Sequence, residues 1–132
     1  MTPEGFISRA SSFDPKQTMD RLAKAAVDNG MAIVARIDHA AAAKQAGMEL
    51  RPTEVLIFGN PKGGTPVMQE AQTAAIDLPL KVLVWQDAEG TTSIGYNDPL
   101  WIGRRHGADG SVAPALQAMA AKLAAIVSAA AG

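Results

Sequence analysis

Both histidines of this chain stand beside a charged residue at the end of a predicted element. Asp38-His39 lies where a strand gives way to a helix, and Arg105-His106 lies where another helix ends. Histidine changes its charge near neutral pH and often serves as a general acid or base. His39, His106 and Asp38 are therefore the candidate catalytic residues. For the first pair we prefer the structural alternative, in which Asp38 caps the helix and His39 is a half-buried residue of its first turn.

A second kind of chemistry is anion binding by a glycine-rich loop between a predicted strand and helix. The loop reads GNPKGGT from residue 59 to residue 65. Backbone N–H groups at a helix N-terminus attract anions, and glycines let a ligand approach the backbone closely. A phosphate loop ends in Gly-Lys-Ser/Thr, whereas Lys62 precedes Gly63 and Gly64, so phosphate-loop chemistry is not expected. The loop predicts a weaker anion site or, alternatively, a tight turn whose glycines serve backbone geometry.

The basic run near residue 105 belongs to the same binding hypothesis. An arginine fork can hold a carboxylate or phosphate with two hydrogen bonds. The alternative is that this run is the basic last turn of a helix, ended by Gly107. We expect the binding residues to converge on one solvent-accessible cleft that holds a small polar or anionic ligand. The candidate ligand-binding residues are Asn60, Lys62, Gly63, Gly64, Arg105 and His106.

The composition excludes several other classes of function. The chain has no cysteine, which rules out disulfides, thiolate catalysis and cysteine-based zinc sites. Its histidines show no known metal-ligand spacing, so we expect no metal and no cofactor. A net charge of −1 gives no broad attraction to nucleic acid or to an anionic membrane. Pro114, Gln117 and Lys122 interrupt the apolar C-terminal tract, which argues against a membrane span. From the charge and this pattern we expect neither a nucleic-acid nor a membrane partner.

Turn and capping signals predict the elements that must position these residues. Asp14-Pro15-Lys16-Gln17 predicts a helix start, because Asp can cap, Pro suits the first helical position and Gln can complete a capping box. Thr65-Pro66 predicts another start by the same logic, and the polar turn 87–90 predicts a β-hairpin. The predicted strands are 5–13, 31–37, 53–58, 80–86 and 91–96, and the predicted helices are 15–28, 39–46, 65–76, 100–105 and 112–130.

This order of elements favours a single α+β domain, residues 1–132, with helices covering one face of a sheet. A doubly wound, flavodoxin-like fold is the main alternative, but the final hairpin argues against a wholly parallel sheet. The C-terminal helix carries an apolar stripe of Leu116, Met119, Leu123 and Ile126, which would pack on the sheet or on a partner. The cysteine-free composition and the absence of a secretory pattern at the N-terminus favour a cytoplasmic location.

A series of short motifs runs from Ile37 to Gly107. In chain order they are Asp38-His39 with Ala41 and Ala42, Gly47, Arg51-Pro52, Phe58-Gly59-Asn60-Pro61, Gly64-Thr65, Met68, Leu78-Pro79-Leu80, Asp87, Gly90, Tyr96, Asp98-Pro99 and Arg105-His106-Gly107. This ordered set resembles the DUF302 family of small bacterial and archaeal domains. The resemblance implies a curved, mainly antiparallel sheet of about five strands covered by helices, of the TATA-binding-protein-like class, and a homodimer. It implies no activity.

We therefore expect a cytoplasmic homodimer that binds a small polar or anionic ligand. Two alternatives remain open. One is a small enzyme that uses His39 or His106 as acid/base, which a concave pocket containing both histidines would favour. The other is a structural or interaction module without a ligand, which individually satisfied polar residues would favour.

Overall fold

The computed structural model describes residues 2–108 and 110–132. The elements in chain order are β1 (Phe6–Ala10), α1 (Pro15–Asp28), β2 (Ala32–Asp38), α2 (His39–Gln45), β3 (Thr53–Gly59), α3 (Pro61–Glu70), a 3-10 helix (Gln72–Asp77), β4 (Leu80–Gln86), β5 (Thr92–Asn97), α4 (Pro99–His106), a 3-10 turn (Gly110–Val112) and α5 (Ala113–Ala131).

The five strands form one sheet in the order β1-β5-β4-β3-β2, and every neighbouring pair is antiparallel. Strands β2 to β5 follow one another as a meander, and β1 joins at the far edge beside β5. The predicted α+β class and the antiparallel sheet of about five strands are confirmed. The doubly wound alternative is wrong, because that fold requires parallel neighbours.

The two faces of the sheet differ in what covers them. Side chains alternate between the faces of a strand. On the inner face the buried residues of β3 and β4 share a core with Met19 and Leu22 of α1. These strand residues are Leu56, Phe58, Val82 and Val84. The residues between them, such as Val55 and Leu83, are half-buried and point to the outer face. The helices therefore cover one face of the sheet.

The C-terminal helix belongs to the helical side of this core. The sequence left open whether its apolar stripe packs on the sheet or on a partner, and the structure buries the stripe within the chain. α5 packs against α1 and α4 rather than chiefly against strands. By length and composition alone, the segment Gly110–Ala131 could cross a membrane. Here its larger apolar side chains contribute to the core of the domain.

The third helix begins at Pro61, not at Thr65 as predicted. Asn60 is its N-cap, because the Asn60 side chain accepts a hydrogen bond from the backbone N–H of Lys62 at 3.0 Å. Asn caps at least as well as Thr, and Pro61 suits the first helical position. Pro66 consequently lies inside the helix. The last four residues of the predicted loop from Gly59 to Gly64 are therefore the first turn of α3.

Candidate functional site

The first turn of α3 has little free hydrogen-bonding capacity for an anion. Lys62 N–H donates to the Asn60 side chain, while the N–H groups of Gly63 and Gly64 donate to the Asn60 carbonyl at 2.9 and 3.1 Å. The amides that the sequence offered as anion donors are thus already paired within the helix. The Asn60 amide nitrogen makes only a long bond, 3.4 Å to the carbonyl of Gly30. A ligand at this turn would therefore engage the Asn60 side chain rather than a row of free amides.

Asn60 and Gly64 also line a cavity of about 420 Å³, which we call the methionine cavity. It lies between the start of α3, the end of the 3-10 helix and the adjoining edge of the sheet. Met31, Met68 and Met119 come from three separate parts of the chain to line it. Leu78, Pro79 and Leu80 add further apolar surface, and the polar side chains of the lining are those of Asn60 and Thr65. Methionine side chains are flexible and polarisable, so such a wall adapts to the shape of its contents.

Arg105 and His106 meet Asp77, at the end of the 3-10 helix. His106 Nε2 lies 2.6 Å and Arg105 Nη1 lies 2.7 Å from the same oxygen of Asp77. The other ring nitrogen of His106 lies 2.9 Å from the hydroxyl of Thr73. We call these four residues the Asp77 cluster. The cluster ties α4 to the 3-10 helix. The His106 side chain is 8% exposed and that of Asp77 is 14% exposed, so their contact lies largely away from solvent, while Arg105 and Thr73 are exposed.

The electrostatics of the cluster favour an ionised carboxylate. Burial raises the pKa of Asp77, but hydrogen bonds from His106 and Arg105 together outweigh burial and hold the pKa below its ordinary value of 3.8. Arg105 also lies over the ring of Trp101, with its guanidinium carbon 5.9 Å from the ring centroid. Arg105 is thus already engaged with an acid and an aromatic ring of its own chain.

The order Thr73–His106–Asp77 has the residue types of a hydrolytic triad. A nucleophile of that kind needs room for a substrate about 3 Å away and donors for the developing oxyanion. Thr73 is exposed on a short 3-10 helix, and neither the methionine cavity nor the open groove beside α2 described below is lined by Thr73 or His106. We therefore interpret the contacts of His106 with Thr73 and Asp77 as a structural link between α4 and the 3-10 helix.

Asp38 and His39 lie elsewhere, at the start of α2. Asp38 accepts a hydrogen bond from the N–H of Ala41 at 2.9 Å, which is the predicted N-cap contact. His39 is exposed rather than half-buried. Asp38 also lines an open groove of about 1090 Å³ between α2 and the start of α1. In this groove Arg36 bridges Glu54 and Asp20, at 2.8 and 3.0 Å.

The charges of the open groove are mixed in sign. Its lining includes four acidic and four basic residues: Asp14, Asp38, Glu49, Glu54, Lys16, Arg36, Lys44 and Arg51. Asp20 does not line the groove, and hydrogen bonds from Lys16 and Arg36 hold its pKa below its ordinary value. The hydrogen bond to Glu54 raises the pKa of Arg36. The lining of the open groove therefore offers no basic surface to an anion.

The predicted site residues thus occupy three places. Asn60 and Gly64 line the methionine cavity, Arg105 and His106 bind Asp77, and Asp38 with His39 stands at the start of α2. Lys62 and Gly63 belong to the first turn of α3 but do not line the cavity. The 3-10 helix connects the first two places: Ala75 lines the cavity, while Thr73 and Asp77 hold His106.

Sequence reasoning missed the residues that complete these places. Asp77 lies 29 residues and Thr73 lies 33 residues from His106, and the three methionines are as widely spaced. The nearest sequence signal was the short motif Leu78-Pro79-Leu80, which follows Asp77 directly and is one of the motifs that carry the family resemblance. Among the described residues, no group of three or more His, Cys, Asp or Glu side chains could hold a metal ion.

Comparison with known proteins adds a family and a fold. The family described as "Domain of unknown function DUF302" matches residues 7–130. The crystal structure of an uncharacterized conserved protein DUF302 from Bacillus stearothermophilus has a TM-score of 0.85 and 21% sequence identity, over 97% of this chain and 99% of that chain.

Curated relatives come from Brucella. The fluoride-specific ion channel FluC 1 of Brucella suis is 41% identical over 115 residues, which are 87% of this chain and 45% of that protein. The fluoride-specific ion channel FluC 2 of Brucella melitensis is equally similar over 43% of its length. The chain therefore spans less than half the length of these curated relatives.

Proposed function

This chain belongs to the DUF302 family, and we propose that within it the chain acts as a cytoplasmic, homodimeric domain that binds a small molecule in the methionine cavity. The ligand has a polar or anionic head and an apolar body. The observation that carries the proposal is the cavity itself, about 420 Å³ with a mainly apolar lining. Cavities of a few hundred cubic ångströms, apolar with a few placed polar groups, are the usual form of small-molecule sites.

We infer an apolar body for the ligand because the walls of the methionine cavity are mainly apolar. Three methionines and the Leu78-Pro79-Leu80 segment supply half of the side chains that line the cavity, and most of the others are also apolar. A wholly polar ligand would lose hydrogen bonds with water at these walls without replacing them, which is costly. A short aliphatic chain gains free energy by leaving water, at about 0.8 kcal/mol per buried methylene group.

We infer a polar or anionic head for the ligand because polar groups lie at the mouth of the cavity. The side-chain amide nitrogen of Asn60 makes only its long bond to the carbonyl of Gly30, and Thr65 contributes a hydroxyl to the lining. Lys62 is exposed two residues after Asn60 and supplies a positive charge near the mouth. A carboxylate held there keeps contact with water and avoids the cost of burying an unpaired charge. A medium-chain carboxylate such as octanoate is the simplest molecule with both parts.

The homodimer and the location are the remaining parts of the proposal. A chain without cysteine fits a reducing compartment. The homodimer is supported by the apolar residues on the uncovered face of the sheet, because large exposed apolar patches mark contact surfaces.

A thermal-shift series followed by calorimetry tests ligand binding. The panel contains octanoate, octanol, acetate, inorganic phosphate and fluoride, the last because similar curated proteins are named fluoride-specific ion channels. We expect octanoate to stabilise the protein most, octanol less, and the small anions least. Equal stabilisation by acetate and octanoate would contradict an apolar site, and stabilisation by fluoride alone would point to a bare anion site.

Two matched variants locate the site. Ala75→Trp places a large side chain at the cavity wall from an exposed position of the 3-10 helix, and should abolish octanoate binding. Ala125→Trp, on the exposed side of α5, is the control and should leave binding unchanged. Octanoate binding that survives Ala75→Trp would refute the cavity as the site.

Arg105→Ala decides between the methionine cavity and the shared cleft expected from the sequence. If Arg105 holds the anionic head, its removal weakens binding by roughly 1.5–3 kcal/mol, the scale of a hydrogen bond to a charged group. If the head lies at Asn60 and Lys62, Asn60→Ala weakens binding and Arg105→Ala does not. We expect the second result, because Arg105 is already bound to Asp77.

A further inference from the structure

We propose that the outer face of the sheet is the surface on which a second copy of this chain docks. The outer face is the one opposite the helices, and its central residues are Phe6, Ile37, Val55, Leu83, Trp85 and Gly95. The inference rests on the proposed homodimer and goes further by naming its contact surface. The apolar stripe of α5, the surface that the sequence suggested for a partner, is already buried within the chain.

The pairing register makes these residues a continuous row. Ile37 pairs with Val55, Val55 pairs with Leu83, and Leu83 pairs with Gly95. Paired residues on neighbouring strands point to the same face and contact one another. Ile37 is 40% exposed, and Val55 and Leu83 are half-buried although they are apolar and central in the sheet. The row therefore presents a broad apolar surface to solvent in a single copy.

Two aromatic rings flank the row. The ring of Phe6 lies over Gly95, where an added Cβ would overlap it. Its centroid is 6.0 Å from that of Trp85, with the ring planes tilted by 44°. Large aromatic side chains are enriched at the centres of protein interfaces. Because Gly95 has no side chain, the Phe6 ring lies directly against the sheet.

The charge of the face fits a second copy better than other partners. Among the strand residues of this face, Lys81 carries the only charge, and its ammonium donates to the carbonyl of Pro79 at 3.1 Å. One cation cannot provide the phosphate contacts on which nucleic-acid binding depends. A nearly uncharged apolar surface complements itself, and a two-fold contact uses the same patch on both subunits.

The size of the face is sufficient for a specific dimer. Five strands, each about 4.8 Å wide, span roughly 24 Å from one edge of the sheet to the other, and strands of about six residues at 3.3 Å per residue span roughly 20 Å. The face therefore covers about 500 Å², so two copies bury about 1,000 Å², the size that a biological interface should reach. Two such sheets would pack about 10 Å apart, with the helices of each copy outside.

Mutation of the face tests the proposal in the full chain. Wild-type protein should sediment as a dimer at micromolar concentration. Ile37→Asp and Leu83→Asp should each raise the dimer dissociation constant by about 100-fold or more, because the symmetric contact buries two unpaired carboxylates. Ala125→Asp, on the exposed surface of α5, should leave the dimer intact. Ile37 is exposed enough in one copy for its variant to fold, which circular dichroism checks.

The outcomes separate the two proposals. A monomeric wild type would refute the homodimer itself. A dimeric wild type whose Ile37→Asp and Leu83→Asp variants both stay dimeric would refute the face and leave the homodimer standing.

A second measurement needs no disruptive variant. Because the chain has no cysteine, single Ser93→Cys and Ser128→Cys variants can each carry one spin label. Ser93 lies on the outer face and Ser128 on the exposed side of α5. Face-to-face packing brings the two Ser93 labels into strong dipolar coupling and keeps the Ser128 labels apart. The reverse pattern would overturn the proposal.

Discussion

His106→Ala should destabilise the fold by about 2–4 kcal/mol. The variant removes one hydrogen bond to a charged partner, Asp77, and one to the neutral Thr73, at 2.6 and 2.9 Å. Bonds to charged groups contribute roughly 1.5–3 kcal/mol and neutral bonds roughly 0.5–1.5 kcal/mol. Because Arg105 stays 2.7 Å from Asp77, the carboxylate is not left unpaired. The expected loss of stability therefore lies near the middle of the range of about 2–4 kcal/mol.

Urea unfolding followed by tryptophan fluorescence measures this loss. Trp101 is one turn before the cluster on α4, so its emission reports on the region concerned. The midpoint of thermal unfolding should fall by roughly 3–5 °C per kcal/mol for a chain of this length. His39→Ala is the matched control and should change the free energy of unfolding by less than about 0.5 kcal/mol, since His39 is exposed. Equal losses in the two variants would refute the assignment of His106 as the tie between α4 and the 3-10 helix.

Other variants test separate features by unfolding or elemental analysis. The pKa of Asp77 is lowered in the fold from 3.8, so its stabilising charge is present above about pH 4 and is lost as the pH falls through the lowered pKa. Asp77→Asn should therefore flatten the acid limb of stability against pH, and an unchanged limb would contradict this. Gly95→Ala should cost about 1–3 kcal/mol by overlap with Phe6, whereas Gly63→Ala, with open space around it, should not destabilise α3. Arg105→Ala should cost less than about 1 kcal/mol, because its side chain is 49% exposed. Purified protein should contain no stoichiometric transition metal, and one equivalent per chain that is lost on mutating either histidine would contradict that expectation.

The elements that the sequence placed correctly depend on signals from adjacent residues. Asp14 accepts a hydrogen bond from the N–H of Gln17 at 2.8 Å, as the capping motif predicts. Gly90 closes the hairpin turn with a φ of +84°, a conformation that glycine adopts without strain. The start of α3 was misplaced because two Xaa-Pro start signals compete, Asn60-Pro61 and Thr65-Pro66. The earlier one caps the helix, and the later proline lies inside it.

The site was less predictable because its contacts join distant parts of the chain. His106 was singled out for its chemistry, but nothing near it in sequence indicated that both ring nitrogens would be occupied. Its partners, Thr73 and Asp77, reach it only through the packing of the 3-10 helix against α4. The methionine cavity has the same origin, since Met31 and Met68 are brought together by the order of the strands and by α3. Residue types therefore suggested chemistry, while the tertiary fold decided which of them could act together.

The irregular edge strand β2 bears on how this protein avoids aggregation. An edge strand with exposed aliphatic side chains is a template for strand addition and fibre growth. β2 carries such side chains, with Ile33 41% and Val34 63% exposed. Its register slips between Ile33 and Ala35, so Val34 has no paired residue on β3. A bulge of this kind bends and twists the strand, so an incoming flat strand could not follow the whole edge. The backbone thus opposes open-ended ladders at this edge, while the proposed two-fold contact uses the sheet face and closes on itself.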